Sequence, residues 1–274
     1  MDNRSPKSIL REHGLRPKKS WSQNFLSDAR VTRAIADAVA GTAGGRTVLE
    51  LGAGTGALTR ELASRCTRVL ALERDRELAV ILREEFRTTG NVTVVEDNAL
   101  TVDVTALAGG SRLVVAGNLP YHIASQIVFH LLDQRASISS FFVMMQREMA
   151  DRIVSPPGRK DYGVISVLCA LHTRAALVIK VPPGAFHPRP RVDSAVVRFD
   201  VLEAPAVPVR DEAAFVRVVK AAFNQRRKTL RNALKPVFPD QASMDSALAA
   251  SGVDGGRRGE TLSLHEFAKV SDHV

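Results

Sequence analysis

The sequence predicts an α/β fold with a Rossmann-like, doubly wound parallel sheet, followed by a small all-helical domain at the C-terminus. Between residues 47 and 135, short apolar runs alternate with segments whose apolar residues recur at helical spacing, which is typical of a parallel sheet. Alternate glycines follow the first apolar run, as they do in nucleotide-binding folds. Beyond residue 212 the hydrophobic pattern is helical throughout.

Composition indicates the broad class of protein. The chain has 274 residues, of which 45% are hydrophobic, enough for one large domain and a small one. No apolar run approaches the roughly 20 residues that span a bilayer, and the N-terminus lacks the apolar region of a secretory signal. Cys66 and Cys169 lack metal-ligand spacing and are expected to be reduced core thiols. We therefore expect a cytoplasmic monomer with no membrane association and no metal site.

The chain begins with a basic segment, residues 1–20, for which we expect partial disorder with a short helix possible at residues 6–13. The first domain is predicted to span residues 21–202. It starts with an aromatic and polar stretch, residues 21–26, and Asp28 can cap the helix that follows.

The stretch 47–56, TVLELGAGTG, predicts a strand, a glycine turn and the start of a helix. Gly52, Gly54 and Gly56 would bring bare backbone against a nucleotide-like ligand. The spacing also fits the dinucleotide fingerprint of nicotinamide enzymes, and a tight turn without a ligand is a further alternative. Glu50 favours a different ligand, because an acid beside a pyrophosphate is unfavourable, whereas S-adenosylmethionine (SAM) carries an ammonium and a sulfonium cation. We therefore expect SAM as the cofactor.

Polar residues follow the next two predicted strands. The strand at 68–73 ends in Glu73, about 20 residues beyond Gly52, the spacing that brings a carboxylate to the ribose hydroxyls in a βαβ unit. The strand at 91–96 is followed by Asn98. Ligands collect at the C-terminal ends of parallel strands, so both side chains are candidates for the cofactor site.

The fourth predicted strand runs into Asn118, Leu119, Pro120 and Tyr121. Pro120 restrains Leu119 to an extended shape, which can leave its carbonyl directed at the ligand cleft. Asn118 offers a second oxygen, and two acceptors suit an exocyclic amine with two N–H donors. Tyr121 supplies a flat face for a base. The alternative is an ordinary strand-ending turn, because Asn and Pro are common turn residues.

The loop at residues 186–194 carries further candidates. Arg189 and Arg191 are expected to contact phosphate, and Phe186 is a candidate second stacking face. Prolines stiffen this loop, so the alternative is a rigid connection with Phe186 buried.

Basic residues are densest in the C-terminal helical domain, predicted at 203–274. The group comprises Lys220, Arg226, Arg227, Lys228 and Arg231. With a formal net charge of +9, such a group joined to a methyl-transfer domain favours an RNA partner, although a basic helix face is often merely solvated. Lys18 and Lys19 are further candidate RNA contacts.

Taken together, these motifs resemble those of the KsgA-type small-subunit rRNA adenine dimethyltransferases, relatives of the Erm resistance methyltransferases. The resemblance runs from residue 16 to about residue 267. It is carried by the motifs QNFL (23–26), ELGAGTG (50–56), Glu73, NLPY (118–121), the loop at 186–194, FNQRRKTLRN (223–232) and RGETLSL (258–264).

The resemblance implies a class I SAM-dependent methyltransferase domain. The implied activity is transfer of four methyl groups to N6 of two adjacent adenosines near the 3′ end of small-subunit rRNA, within a pre-ribosomal particle. By position, Gln23, Asn24 and Leu26 would hold the methionine end of SAM, Gly52 would line the cofactor, Glu73 would bind the ribose, and Asn118 and Tyr121 would hold the target adenine.

Two positions depart from the family pattern. The family usually has Gly at the position of Ser22 and Asp at the position of Asn98, where the acid accepts from the cofactor's adenine amine. Asn98 can accept through its amide oxygen in a weaker, neutral hydrogen bond. Its neighbour Asp97 could also serve.

Three rival functions remain. An Erm-like enzyme acting on large-subunit rRNA is the nearest, but Erm proteins usually lack the motif at 258–264. A non-catalytic RNA-binding assembly factor is disfavoured by the intact residues 118–121 and Glu73. A nicotinamide dehydrogenase is weakest, because no His or Lys constellation for hydride transfer is evident.

Overall fold

The structure is a computed structural model that describes residues 4–18, 21 and 23–274. The strands are β1 (Phe25–Leu26), β2 (Val48–Leu51), β3 (Val69–Glu73), β4 (Val92–Glu96), β5 (Leu113–Asn118), β6 (Ile138–Gln146), β7 (Thr173–Val181), β8 (Phe186–His187) and β9 (Ser194–Val201). The helices are α1 (Pro6–Glu12), α2 (Ala29–Ala43), α3 (Ala57–Ala63), α4 (Arg76–Glu85), α5 (Val104–Ala108), α6 (Ala124–Asp133), α7 (Arg147–Ile153), α8 (Val164–His172), α9 (Glu212–Asn224), α10 (Leu230–Ala233), α11 (Gln241–Ser251) and α12 (Leu264–Ser271).

The chain forms two compact units, and their bounds differ from the predicted ones. The first unit comprises residues 1–150 and 176–201, and the second, here called the helical unit, comprises 151–175 and 202–274. Residues 151–175, predicted to belong to the first domain, join the helical unit because Val167 and Leu171 of α8 are buried in the helical core.

The first unit contains a seven-stranded sheet in the order β4-β3-β2-β5-β6-β9-β7. The pairs β2–β3, β3–β4, β2–β5 and β5–β6 are parallel, and β9 runs antiparallel to β6. Every residue of β2 and β3 is buried, as expected for parallel strands covered on both faces. The predicted Rossmann-like fold is therefore confirmed.

The described part of the N-terminal segment contains the short helix that the sequence indicated at residues 6–13. Residues 6–12 form α1, and the Ser5 hydroxyl caps it by accepting from the Ser8 backbone N–H at 3.1 Å. Ile9 and Leu10 are buried in a cluster that includes Phe25. Apolar burial therefore fixes this helix against the rest of the first unit. Residues 1–3, 19, 20 and 22, and with them the predictions for Lys19 and Ser22, lie outside the described residues.

The helical unit has its own hydrophobic core. Leu171 of α8, Phe215 of α9, Leu248 of α11 and Phe267 of α12 belong to one buried cluster. This core accounts for the helical spacing of apolar residues beyond residue 212.

Within the described residues, no helix is long and apolar enough to cross a membrane. The same residues contain no group of three or more His, Cys, Asp or Glu side chains that could hold a metal ion. Cys66 and Cys169 are buried free thiols.

Candidate functional site

A cavity of about 330 Å³ lies where β2, β3, β4 and β5 end. This is the edge at which ligands of doubly wound sheets bind. The predicted site residues that line it are Gln23, Asn24, Gly52, Gly54, Glu73, Asn98, Asn118, Leu119, Pro120 and Tyr121. Most of the predicted cofactor and target residues are thus brought together.

Glu73 places its carboxyl group in the cavity wall, and the glycine turn holds it in place. Its Oε2 accepts from the Gly54 backbone N–H and its Oε1 from the Asp75 backbone N–H, both at 2.8 Å. Gly54 has φ +60°, which a residue with a side chain rarely adopts. Burial raises the pKa of Glu73, and these backbone N–H bonds oppose the rise. Each carboxylate oxygen retains a second lone pair with which to accept a hydroxyl.

Gly56 has a packing role and does not line the cavity. It has φ +79° and precedes α3, and a Cβ there would lie 2.6 Å from the Phe86 ring. The structure thus gives Gly56 a packing reason to be glycine, and its contact with the cofactor stays a prediction.

Glu50 is also outside the cavity lining. Its side chain is 2% exposed and accepts from the Thr59 hydroxyl at 2.6 Å. Burial raises the pKa of Glu50 to about 8, well above its ordinary value. The partner that the structure shows for this carboxyl is Thr59, and a direct contact between Glu50 and the cofactor stays a prediction.

Asn118 is oriented by a backbone group. Its Nδ2 donates to the Asn24 carbonyl at 2.8 Å, which leaves the amide oxygen as the end available to a donor from the cavity. The next residue, Leu119, is held by a bond from its N–H to the Met144 carbonyl at 3.2 Å. Tyr121 is partly buried and lines the same wall.

Phe186 and Leu26 lie in the core. They face each other in the antiparallel pair of β1 and β8, with 5% of each residue exposed, and neither lines the cavity. This burial favours the alternative of a rigid connection with Phe186 buried, and it leaves the Leu26 side chain away from the cavity. Both side chains pack in the hydrophobic core of the first unit and so hold β1 and β8 against it.

Lys18 is engaged with carboxylates. Its Nζ lies 2.7 Å from an oxygen of Asp75 and 2.7 Å from one of Glu77, and its backbone N–H donates to Gln23 Oε1 at 2.8 Å. These ion pairs raise the pKa of Lys18. Lys18 thus helps to fix Gln23 beside the cavity, and its contact with RNA stays a prediction.

Trp21 and Arg74 are cavity residues that the sequence analysis did not identify. The guanidinium carbon of Arg74 lies 4.9 Å from the centre of the Trp21 ring. No sequence motif identified either residue, because the contact joins segments that are distant in the sequence. One signal was available for Arg74, which directly follows Glu73.

Asn98, and not Asp97, lines the cavity. Its Oδ1 accepts from the Leu100 backbone N–H at 3.1 Å, and its own N–H donates to Asp97 Oδ1 at 2.6 Å. The amide oxygen that was expected to accept from an adenine amine already has one donor. It retains a second lone pair.

The predicted RNA-binding cations differ in their surroundings. Arg226 binds Glu260 at 2.6 Å and the Lys160 carbonyl, and Arg231 lies 3.1 Å from Asp245. These two arginines therefore stabilise the helical unit itself. All members of the set from Arg189 onward are exposed: Arg189 and Arg191 in the first unit and Lys220, Arg226, Arg227, Lys228 and Arg231 in the helical unit. Of these, Arg226 and Arg231 are the two that form an ion pair among the described residues.

Comparison with known proteins shows the family. Residues 14–273 match the family model for ribosomal RNA adenine dimethylase. The "Ribosomal RNA small subunit methyltransferase A" of Myxococcus xanthus is 46% identical over 268 residues, which cover 97% of this chain and 94% of that protein. The protein of the same name from Moorella thermoacetica is 46% identical over 273 residues, which cover 96% and 94%.

Solved structures share the fold. A dimethyladenosine transferase from Plasmodium falciparum superposes with a TM-score of 0.78 at 23% identity, covering 90% of this chain and 95% of that one. The 23S rRNA methyltransferase ErmE has a TM-score of 0.67 at 28% identity, covering 91% and 99%. The full-length match to the family model and the close relatives place this chain in the ribosomal RNA adenine dimethylase family.

Proposed function

We propose that this protein is a SAM-dependent dimethyltransferase that modifies N6 of two adjacent adenosines near the 3′ end of small-subunit rRNA, within a pre-ribosomal particle in the cytoplasm. Family membership and the name of its relatives support this proposal. The structural observation that supports the proposal is the hydrogen bond from Asn118 Nδ2 to the Asn24 carbonyl. Because Nδ2 is used in this bond, the amide oxygen of Asn118 is available to a substrate amine in the cavity that Glu73 also lines.

The cavity fits SAM in size and in the chemistry of its walls. Its volume of about 330 Å³ lies in the range of small-molecule sites. Gly52 and Gly54 supply bare backbone, Glu73 supplies acceptors for the ribose hydroxyls, and Gln23 lies beside the Lys18 ion pairs. When bound, SAM supplies the methyl group and the sulfonium that leaves as a thioether.

The residues of the chain orient and polarise the target. The lone pair of adenine N6 is delocalised into the ring and is a poor nucleophile. Asn118 Oδ1 and the Leu119 carbonyl accept from its hydrogens, which favours a more pyramidal and more nucleophilic nitrogen. Tyr121 stacks on the base and aims N6 at the methyl group. Transfer then depends on alignment more than on a strong base, because the N6 proton becomes acidic once the nitrogen carries positive charge.

The exposed cations that form no ion pair among the described residues are assigned to the RNA backbone. Arg189 and Arg191 lie on the loop before β9, and Lys220, Arg227 and Lys228 lie on or after α9. Such residues neutralise phosphates and give salt-dependent binding without base specificity.

Incubation with labelled SAM and under-methylated small ribosomal subunits tests this proposal. We expect the label at N6 of two adjacent adenosines near the 3′ end of small-subunit rRNA. Label in large-subunit rRNA instead would favour an Erm-like activity. SAM binding without transfer, or no SAM binding in a titration, would favour a non-catalytic assembly factor.

A further inference from the structure

Ser194, the first residue of β9, has no part in the function described so far. It is 1% exposed, and its Oγ lies 2.7 Å from the phenolic oxygen of Tyr121. One of the two hydroxyls therefore donates to the other. Because Tyr121 lines the cavity, this buried serine reaches the wall of the site through a single hydrogen bond.

The two partners differ in how firmly the backbone holds them. Ser194 pairs with Gln146 at the start of the antiparallel ladder between β9 and β6, and the preceding Asp193 carbonyl accepts from the Arg147 N–H at 2.9 Å. Tyr121 instead begins a single turn of 3₁₀-helix after β5. The sheet thus fixes Ser194, and the hydroxyl contact extends that restraint to the far end of the Tyr121 ring.

The hydrogen bond between the two hydroxyls suits an aromatic ring that has to keep one orientation. A Tyr ring turns about two side-chain bonds, and a hydrogen bond at its far end restricts both. Burial raises the pKa of Tyr121, so its hydroxyl stays protonated at neutral pH and remains able to donate.

We propose that Ser194 is a positioning residue, which holds the Tyr121 ring at the angle needed to stack on the target adenine. The proposal rests on the function proposed above, because it concerns the stacking face of that site. Ser194 touches the tyrosine and not the substrate.

Three variants and a matched control test this role. S194A and Y121F each remove one hydroxyl of the pair, and the double variant removes both. S140A is the control, because Ser140 is an equally buried serine of the same sheet, whose hydroxyl has no partner among the described residues. The measurements are kcat for methylation of small subunits, the Kd of SAM and the thermal unfolding midpoint.

We expect S194A and Y121F each to lower kcat by about 3- to 10-fold, the effect of losing one hydrogen bond. SAM affinity should stay unchanged, S140A should keep the wild-type kcat, and the double variant should be no slower than either single one. Wild-type kcat in S194A or Y121F would overturn the proposal, and so would losses that multiply in the double variant.

Two further outcomes are also decisive. Should S194A fail to fold, S194C replaces the hydroxyl by a thiol, a weaker hydrogen-bonding group, and should also lower kcat. An unchanged kcat in S194C would overturn the proposal.

A wild-type protein that methylates no small-subunit RNA would contradict the proposed function itself. An active wild type with equally active S194A contradicts only the role of Ser194.

Discussion

Asn118 is the residue on which the proposed chemistry depends most. An amide presents an oxygen and an NH₂ group that differ only in hydrogen bonding. The bond from Nδ2 to the Asn24 carbonyl determines which end is free for the substrate, and it joins the end of β5 to the segment before β1. The identity of Asn118 could be predicted from its place at a strand end. Its orientation could not, because the partner carbonyl is far away in the sequence.

Replacing Asn118 by Ala should lower kcat by roughly 10²-fold, because an acceptor for the N6 hydrogens is lost. SAM affinity should change less, since Glu73 and the glycine turn are untouched. Steady-state kinetics and a SAM titration measure both. N91A is the matched control: Asn91 Nδ2 also donates to backbone carbonyls, those of Ala63 and Cys66, but Asn91 does not line the cavity. Near-wild-type turnover in N118A would contradict the role.

Glu50 gives a prediction about stability and pH. Its pKa is about 8 in the folded protein against an ordinary value of 4.5. The folded state therefore holds a proton that the unfolded state releases, and stability falls as pH rises from about 4.5 to about 8. Glu50 contributes a slope of up to about 1.4 kcal/mol per pH unit.

E50Q should remove that slope, because Gln cannot ionise. Urea unfolding of both proteins between pH 5 and pH 8 measures it, and the wild type should lose more stability than E50Q over this range. Parallel pH dependences in the two proteins would show that Glu50 is ionised in the folded state.

At the scale of elements, the strand ends were predictable and the packing partners were not. Apolar runs located β2, β3 and β5, and their C-terminal ends then located Glu73 and Asn118. The pairing of β8 with β1 left no local signal, so Phe186 was assigned to the site although it is buried. Residues 151–175 were assigned to the first domain for the same reason, because the helical core that buries α8 forms far along the chain.

The contact between the glycine turn and α4 gives a prediction at this scale. G56A places a methyl group 2.6 Å from the Phe86 ring at a positive φ, so it should destabilise the protein by overpacking and by backbone strain. G45A is the control, because Gly45 has a similar φ of +84° with open space around it. We expect G56A to lose about 1–3 kcal/mol more than G45A in urea unfolding. Equal losses would indicate that Phe86 moves away freely.

For the whole molecule, charge distribution matters more than net charge. The formal charge of +9 indicated a polyanionic partner, but it did not distinguish cations that bind RNA from cations used internally. All four arginines and lysines at 226, 227, 228 and 231 are exposed, but among the described residues Arg226 and Arg231 form ion pairs, with Glu260 and Asp245, and Arg227 and Lys228 do not.

Replacing Arg227 and Lys228 together by Ala should weaken RNA binding and reduce the slope of log affinity against log salt by about 0.7 to 0.9 per lost phosphate contact. R30A/R33A is the control, because it removes the same charge from exposed positions on α2. Binding titrations at several salt concentrations measure both slopes. Equal changes in the two variants would indicate a general charge effect and not a local RNA contact.

The central claim is that one cavity holds a methyl donor at Glu73 and presents its methyl group to Asn118. A crystal structure of the protein with SAM tests it most directly. We expect ribose hydroxyls within hydrogen-bonding distance of the Glu73 carboxylate and the methyl group directed toward Asn118. SAM bound elsewhere, or a cavity closed to it by side chains, would rule out this arrangement.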